Sequence, residues 1–117
     1  MIYTTYFANM KNLPADVVPI AISQFVPKGI NIPRYPMLAP SQDILLQYKN
    51  DGNWEEYTKK YMAQISNMCP VAVLRDLTEM AGTDEIALVC YEGKDKNCHR
   101  HLVAEWFKEC DIEVEEF

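Results

Sequence analysis

The sequence predicts an α/β domain: a small, mainly parallel sheet with flanking helices, in two or three layers. Three observations predict it. Short runs of β-branched and aromatic residues open the chain and recur near its end. Between them, apolar residues recur at intervals of three and four. One late run, Ile86 to Tyr91, is apolar at every position, as suits a central strand covered by helices on both sides. Strands separated by helices indicate a mainly parallel sheet.

Each element has its own signal. Ile2 to Ala8 alternates Tyr3, Thr5 and Phe7 with Ile2, Thr4, Tyr6 and Ala8, and reads as the first strand. Pro19 to Phe25 reads as the second. Pro27-Lys28-Gly29 is a turn, and Ile30 to Pro40 holds three prolines, so it should cross the surface as an irregular loop. Ser41 can cap a helix that Asp51-Gly52 stops. Asn53 can cap the next, with Glu56 at capping-box spacing. Trp54, Tyr57, Tyr61, Ile65 and Met68 form its aromatic stripe, read as core packing, and Cys69-Pro70 ends it. Val71 to Met80 forms a third helix with Ala81-Gly82 as its stop. Cys98 to Cys110 is amphipathic, and Asp111 to Phe117 reads as a polar edge strand.

A chain of 117 residues is enough for one domain and its core. The formal charge of -6 argues against a general nucleic-acid binder, whose affinity rests on neutralising phosphates. The longest apolar run, Val17 to Ile22, includes Pro19 and falls far short of a membrane span. The N-terminus has no basic, apolar export signal. The expected location is therefore the cytoplasm, with Cys69, Cys90, Cys98 and Cys110 as free thiols.

Chemistry concentrates between Ile86 and Cys110. A buried strand ends at Cys90-Tyr91-Glu92, the loop Gly93-Lys94-Asp95-Lys96-Asn97 follows, and Asn97 is the expected cap of the next helix. Ligands of open α/β sheets sit beyond the carboxyl ends of the strands, where helix N-termini attract anions. On a helical wheel Leu102, Val103, Trp106, Phe107 and Cys110 share one arc. His99 lies within it, Arg100 at its border and His101 opposite. His99 should then meet Glu92, which would orient the imidazole and favour its charged form. Arg100 should reach the same opening, while the Cys98 sulfur turns away from His99 toward the exposed side.

Four readings of this segment stay open. Arg100, His99 and backbone N–H groups can hold a phosphate or carboxylate. Cys98 can be a thiol activated by the helix dipole and Arg100. Cys90, Cys98, His99 and Glu92 can bind zinc, although C-x7-C-H is no standard zinc pairing. Or Cys-His-Arg is structural, with the cysteines packed as small apolar groups. No dinucleotide fingerprint, P-loop or nucleophile elbow is present. The anion pocket leads, and neither metal nor cofactor is expected.

The run ALVCYEGKDKNCHRHLVAEWF, from Ala87 to Phe107, resembles the signature of domain-of-unknown-function family 488: a strand ending Cys-x-Glu, a short loop, then Cys-His-Arg opening a helix. The upstream segments LAPSQDILLQYKN, NWEEYTKKYMAQI, IYTTYFAN and PIAISQF are similar to that family too, so the likeness covers nearly the whole chain. The resemblance implies one α/β domain with a pocket at the carboxyl end of the sheet. It carries Cys90, Glu92, Cys98, His99 and Arg100 over as pocket residues. One departure is Gln24, where the family often has arginine; Lys28 can supply part of that charge. The expected ligand is small and phosphorylated or anionic, a nucleotide among the candidates. The alternatives are an interaction or ligand-sequestering protein and a thiol- or His-dependent hydrolase.

Overall fold

A computed structural model describes residues 1–93 and 95–117; Lys94, expected in the loop before the last helix, lies outside them. Among the described residues the order is β1 (Ile2–Tyr6), β2 (Val18–Ala21), α1 (Gln42–Asp51), α2 (Trp54–Ile65), α3 (Pro70–Ala81), β3 (Ile86–Cys90), α4 (His99–Lys108) and β4 (Val114–Glu116). Short 3-10 turns occupy Phe7–Asn12 and Pro36–Leu38. The sheet runs β2-β3-β1-β4 with every pairing parallel. The α/β fold is thus the expected one, with β3 central and β4 at an edge.

Helix ends follow the local chemistry. Ser41 Oγ accepts from the Ile44 N–H at 3.4 Å, and Asn53 Oδ1 from the Glu56 N–H at 3.0 Å, so each satisfies a donor left over by the first turn. Gly52 at φ +64° and Gly82 at φ +72° take the left-handed conformation that ends α1 and α3. The last helix departs from expectation: Cys98, not Asn97, is its cap residue, and its side chain makes no capping bond.

The strands are shorter than the apolar runs that announce them. β2 leaves the sheet after Ala21, although the Ile22 N–H still donates to the Val89 carbonyl at 2.9 Å. Beyond it the proline-rich loop returns along the outer edge of β2. The Ala21 N–H donates to the Pro33 carbonyl, and the Ala21 carbonyl accepts from the Tyr35 N–H, each at 2.8 Å. This covers an edge that would otherwise offer unpaired backbone groups.

The fold has two layers. Ile2, Ile20, Ile86, Leu88, Cys90 and Val114 face one core with the buried residues of all four described helices, including Tyr61, Leu77, Val103 and Phe107. On the opposite face Ala21 and Val89 meet Phe7, Met10, Val26, Ile30 and Ile32. Helices were expected on both sides of β3. The second side is instead covered by the 3-10 turn after β1 and by the proline-rich loop, because a short sheet needs only a few apolar side chains there to stay dry. Among the described residues no helix is long and apolar enough to cross a membrane.

Leu88 is fully buried at the centre of β3. Leu88→Ala should cost about 3 kcal/mol in urea unfolding. Leu46→Ala on α1, where the side chain is 58% exposed, should stay within about 0.5 kcal/mol of the parent.

Candidate functional site

Alternation along β3 turns Ile86, Leu88 and Cys90 toward the helices, so Cys90 ends the central strand directly beneath the start of α4. The chain then loops out and re-enters at Cys98. Cys98, His99 and Arg100 are all buried, at 4%, 5% and 0% exposure. Three consecutive side chains at one helix start diverge by about 100° each, so they reach three different surroundings.

Arg100 sits inside the protein. Its Nε donates to both Glu116 carboxylate oxygens, at 3.2 and 3.0 Å, and Nη2 lies 2.9 Å from Oε2. Nη1 donates to Cys90 Sγ at 3.1 Å and to the Glu92 carbonyl, and Nη2 to the Gly93 carbonyl at 3.2 Å. The guanidinium carbon lies 5.4 Å from the centre of the Tyr6 ring. Thr4 Oγ1 donates to Glu116 at 2.6 Å. Burial pushes the Glu116 carboxyl up, but the bonds from Arg100 and Thr4 outweigh it and hold the group below its ordinary value.

His99 faces the other way. Its Nε2 donates to the Ile22 carbonyl at 2.6 Å, which fixes the tautomer and leaves Nδ1 unprotonated. Nδ1 lies 3.7 Å from Cys98 Sγ, and the Tyr61 ring meets the imidazole edge-on at 5.5 Å. Burial, reinforced by the positive charge of Arg100, lowers the imidazole from 6.5 to about 4 in spite of the Ile22 bond. The ring is therefore neutral at pH 7.

The Cys90 and Cys98 sulfurs are in direct contact. Their Cα atoms stand 7.6 Å apart, wider than a disulfide spans without backbone movement. The structure thus pairs two sulfurs that were expected to be free thiols; because the backbone is too wide for that bond, we read the reduced protein as holding two convergent thiols here. Cys69 and Cys110 are exposed and unpaired. One donor atom from each of Cys90, Cys98 and His99 falls within 4.8 Å of the others, so these three residues could hold a metal ion.

Cys98 and His99 also form part of the wall of a cleft of about 230 Å³. Phe25, Tyr48, Trp54, Tyr57 and Tyr91 supply its rings, and Ser23, Gln24, Glu92 and Asn97 its polar groups. Trp54 stacks on Tyr57 at 4.6 Å, and Tyr48 meets both edge-on, at 5.7 and 5.2 Å. Burial, with Tyr48 and Glu92 nearby, raises the Tyr57 hydroxyl far above its ordinary value and keeps it neutral. No lysine or arginine is among the described residues of the wall.

The sequence placed several of these groups differently. Glu92 and His99 do not pair: Glu92 is exposed at the cleft and serves Arg100 through its backbone carbonyl, while the imidazole has a carbonyl partner on the segment after β2. The imidazole is thus held neutral rather than charged. Arg100 does not reach the opening, because Glu116, Cys90 and two carbonyls surround it. Cys98 points inward to His99 Nδ1 instead of outward, since the chain enters α4 extended, with φ -152° at Cys98. Lys28 is exposed and stands apart from the cleft wall. Gln24 lines the cleft and donates to the Pro40 carbonyl at 2.6 Å.

Nothing in the sequence singled out Glu116, Thr4, Tyr6 or the Ile22 carbonyl. The aromatic stripe of α2 packs in the core as expected, with Tyr57, Tyr61 and Ile65 buried and Trp54 against them, but Trp54 and Tyr57 border the cleft as well. Their position in the first turn of α2, level with the strand ends, was the available signal.

The profile of the active DUF488-N3 subclade, DUF488-N3a, matches residues 2–111. Comparison with curated proteins and with solved structures returned no match.

Two outcomes follow from the geometry. The folded imidazole titrates near 4 and the unfolded one near 6.5. With chelator present, stability should be independent of this group above pH 6.5 and should fall by roughly 3 kcal/mol as the pH drops to 4. Urea unfolding across that range should show the slope, and His99→Gln should flatten it. Glu116→Ala leaves a buried guanidinium short of its counter-charge and should cost roughly 2 kcal/mol, read as a lower midpoint with an unchanged m-value.

Proposed function

This chain belongs to domain-of-unknown-function family 488, and from that premise and the walls of the cleft we propose that it binds a small planar ring compound of the nucleobase or nucleotide class. The ring enters between the aromatic walls, and any phosphate points outward. The observation that carries this reading is the group of rings, Phe25, Tyr48, Trp54, Tyr57 and Tyr91, around one opening. Such rings reward flat π-systems, by about 1–3 kcal/mol for each stacked base. Ser23, Gln24, Glu92 and Asn97 offer donors and acceptors for the ring edge. Support for the phosphate is weaker: Arg100 is already paired with Glu116, so recognition rests on the ring.

A second reading, thiol- or histidine-dependent chemistry, has its own support. The unprotonated Nδ1 of His99 is 3.7 Å from the Cys98 sulfur and can accept a hydrogen bond from its thiol beside the bound ring. The matched subclade is described as active.

Thermal unfolding against bases, nucleosides, nucleotides and inorganic phosphate tests the first reading. A base or nucleoside at a hundredfold excess over its Kd should stabilise the fold by about 2.7 kcal/mol and quench Trp54 fluorescence. Trp54→Ala should abolish the shift with the fold intact. A shift from inorganic phosphate alone, or none from any ring compound, would overturn the proposal. If ring binding holds, loss of turnover in Cys98→Ser with binding retained would establish the second reading as well.

A further inference from the structure

We propose that Cys90, Cys98 and His99 form a binding site for a thiophilic d10 cation of the Zn2+ class, with two thiolates and one imidazole as ligands and a fourth position open to the cleft. This goes beyond ring binding and stands whether or not the cleft takes a ring.

The donor set is the first argument. One donor atom each from Cys90, Cys98 and His99 lies within 4.8 Å of the others, His99 Nδ1 is 3.7 Å from Cys98 Sγ, and all three residues are buried. Sulfur and imidazole donors suit zinc and select against magnesium and calcium, which require oxygen. Three protein ligands beside a cleft match catalytic zinc sites, whose fourth position takes water or substrate.

The surroundings are the second. The Nε2–H of His99 is bonded to the Ile22 carbonyl at 2.6 Å. A metal-binding histidine characteristically gives its other ring nitrogen such a partner, which aims the lone pair at the ion. Arg100 donates to Cys90 Sγ at 3.1 Å, so that sulfur already faces a positive group. Cys98 sits at the start of α4, at the positive end of the helix dipole. Two thiolates offset a divalent ion, while the Arg100 charge is met separately by Glu116.

The backbone is the third. Cα atoms 7.6 Å apart are wider than a disulfide spans without backbone movement, so on reduction the two sulfurs have room to part around an ion. The C-x7-C-H spacing hides this arrangement. Cys90 ends a strand, Cys98 and His99 begin a helix, and only the parallel sheet beneath that helix brings them together.

Cobalt titration of reduced, chelator-stripped protein tests the site. One equivalent of Co2+ should give thiolate-to-metal charge-transfer absorption and tetrahedral d–d bands. Zn2+ should bleach both and raise the unfolding temperature. A Cys69→Ser, Cys110→Ser double variant should keep the spectrum, Cys98→Ser should lose it, and His99→Gln should weaken binding at least tenfold. Wild-type protein that stays reduced and gives no sulfur charge-transfer band overturns the proposal. So does a band that disappears with Cys69 and Cys110. The wild-type spectrum decides the matter even if Cys98→Ser fails to fold, and it needs no ring compound, so it is independent of the cleft's ligand.

Discussion

The carboxyl end of this sheet is organised around one buried guanidinium. Arg100 is wholly removed from water, and a charge in that position is tolerated only when it is paired and its donors are filled. Glu116 provides the charge from β4, Cys90 an acceptor from β3, and the Glu92 and Gly93 carbonyls close the remaining side. Thr4 of β1 holds the carboxylate in place. Three strands and one helix are thereby fixed relative to one another by a single side chain. Replacing the network with well-packed apolar groups could be as stable. An arginine adds a requirement for alignment, since its planar fork accepts partners only in certain directions.

That alignment is what leaves the neighbouring residues free for other work. With Arg100 anchored inward, the preceding turn is locked, and His99 and Cys98 are delivered to the cleft side without a capping side chain of their own. The Ile22 carbonyl then selects the imidazole tautomer. Structural and chemical duties are divided between adjacent residues of one motif, which is why Cys-His-Arg cannot be sorted by residue type alone.

Much of the frame was legible in the chain. The unbroken apolar run at 86–91 marked the central strand, and Ser41 and Asn53 marked two helix starts by chemistry that acts within four residues. What covered the second face of β3 was not legible, because an apolar side chain records that it is buried and not what buries it. The partner of His99 was hidden for another reason. It is a backbone carbonyl, and carbonyls carry no signature in a sequence. Glu92 offered a visible carboxylate at the right distance along the chain, and a visible partner displaced an invisible one. The convergence of Cys90 with Cys98 depends on how a loop closes, which spacing rules derived from compact zinc motifs do not describe.

The strand order has a consequence for how the chain reaches this state. β1 and β2 are not neighbours; Ile2 pairs with Ile86 on one side and Val114 on the other. During synthesis the first strand therefore waits, with both edges bare, until β3 emerges three helices later. Pairings so distant in sequence close large loops before any ladder bond forms, which slows folding and prolongs exposure of strand edges. Thr4 and Thr5, fully buried in the finished fold, give the waiting strand two hydroxyls in five residues. They make it a poorer template for aggregation than the all-apolar β3, which has partners waiting when it appears.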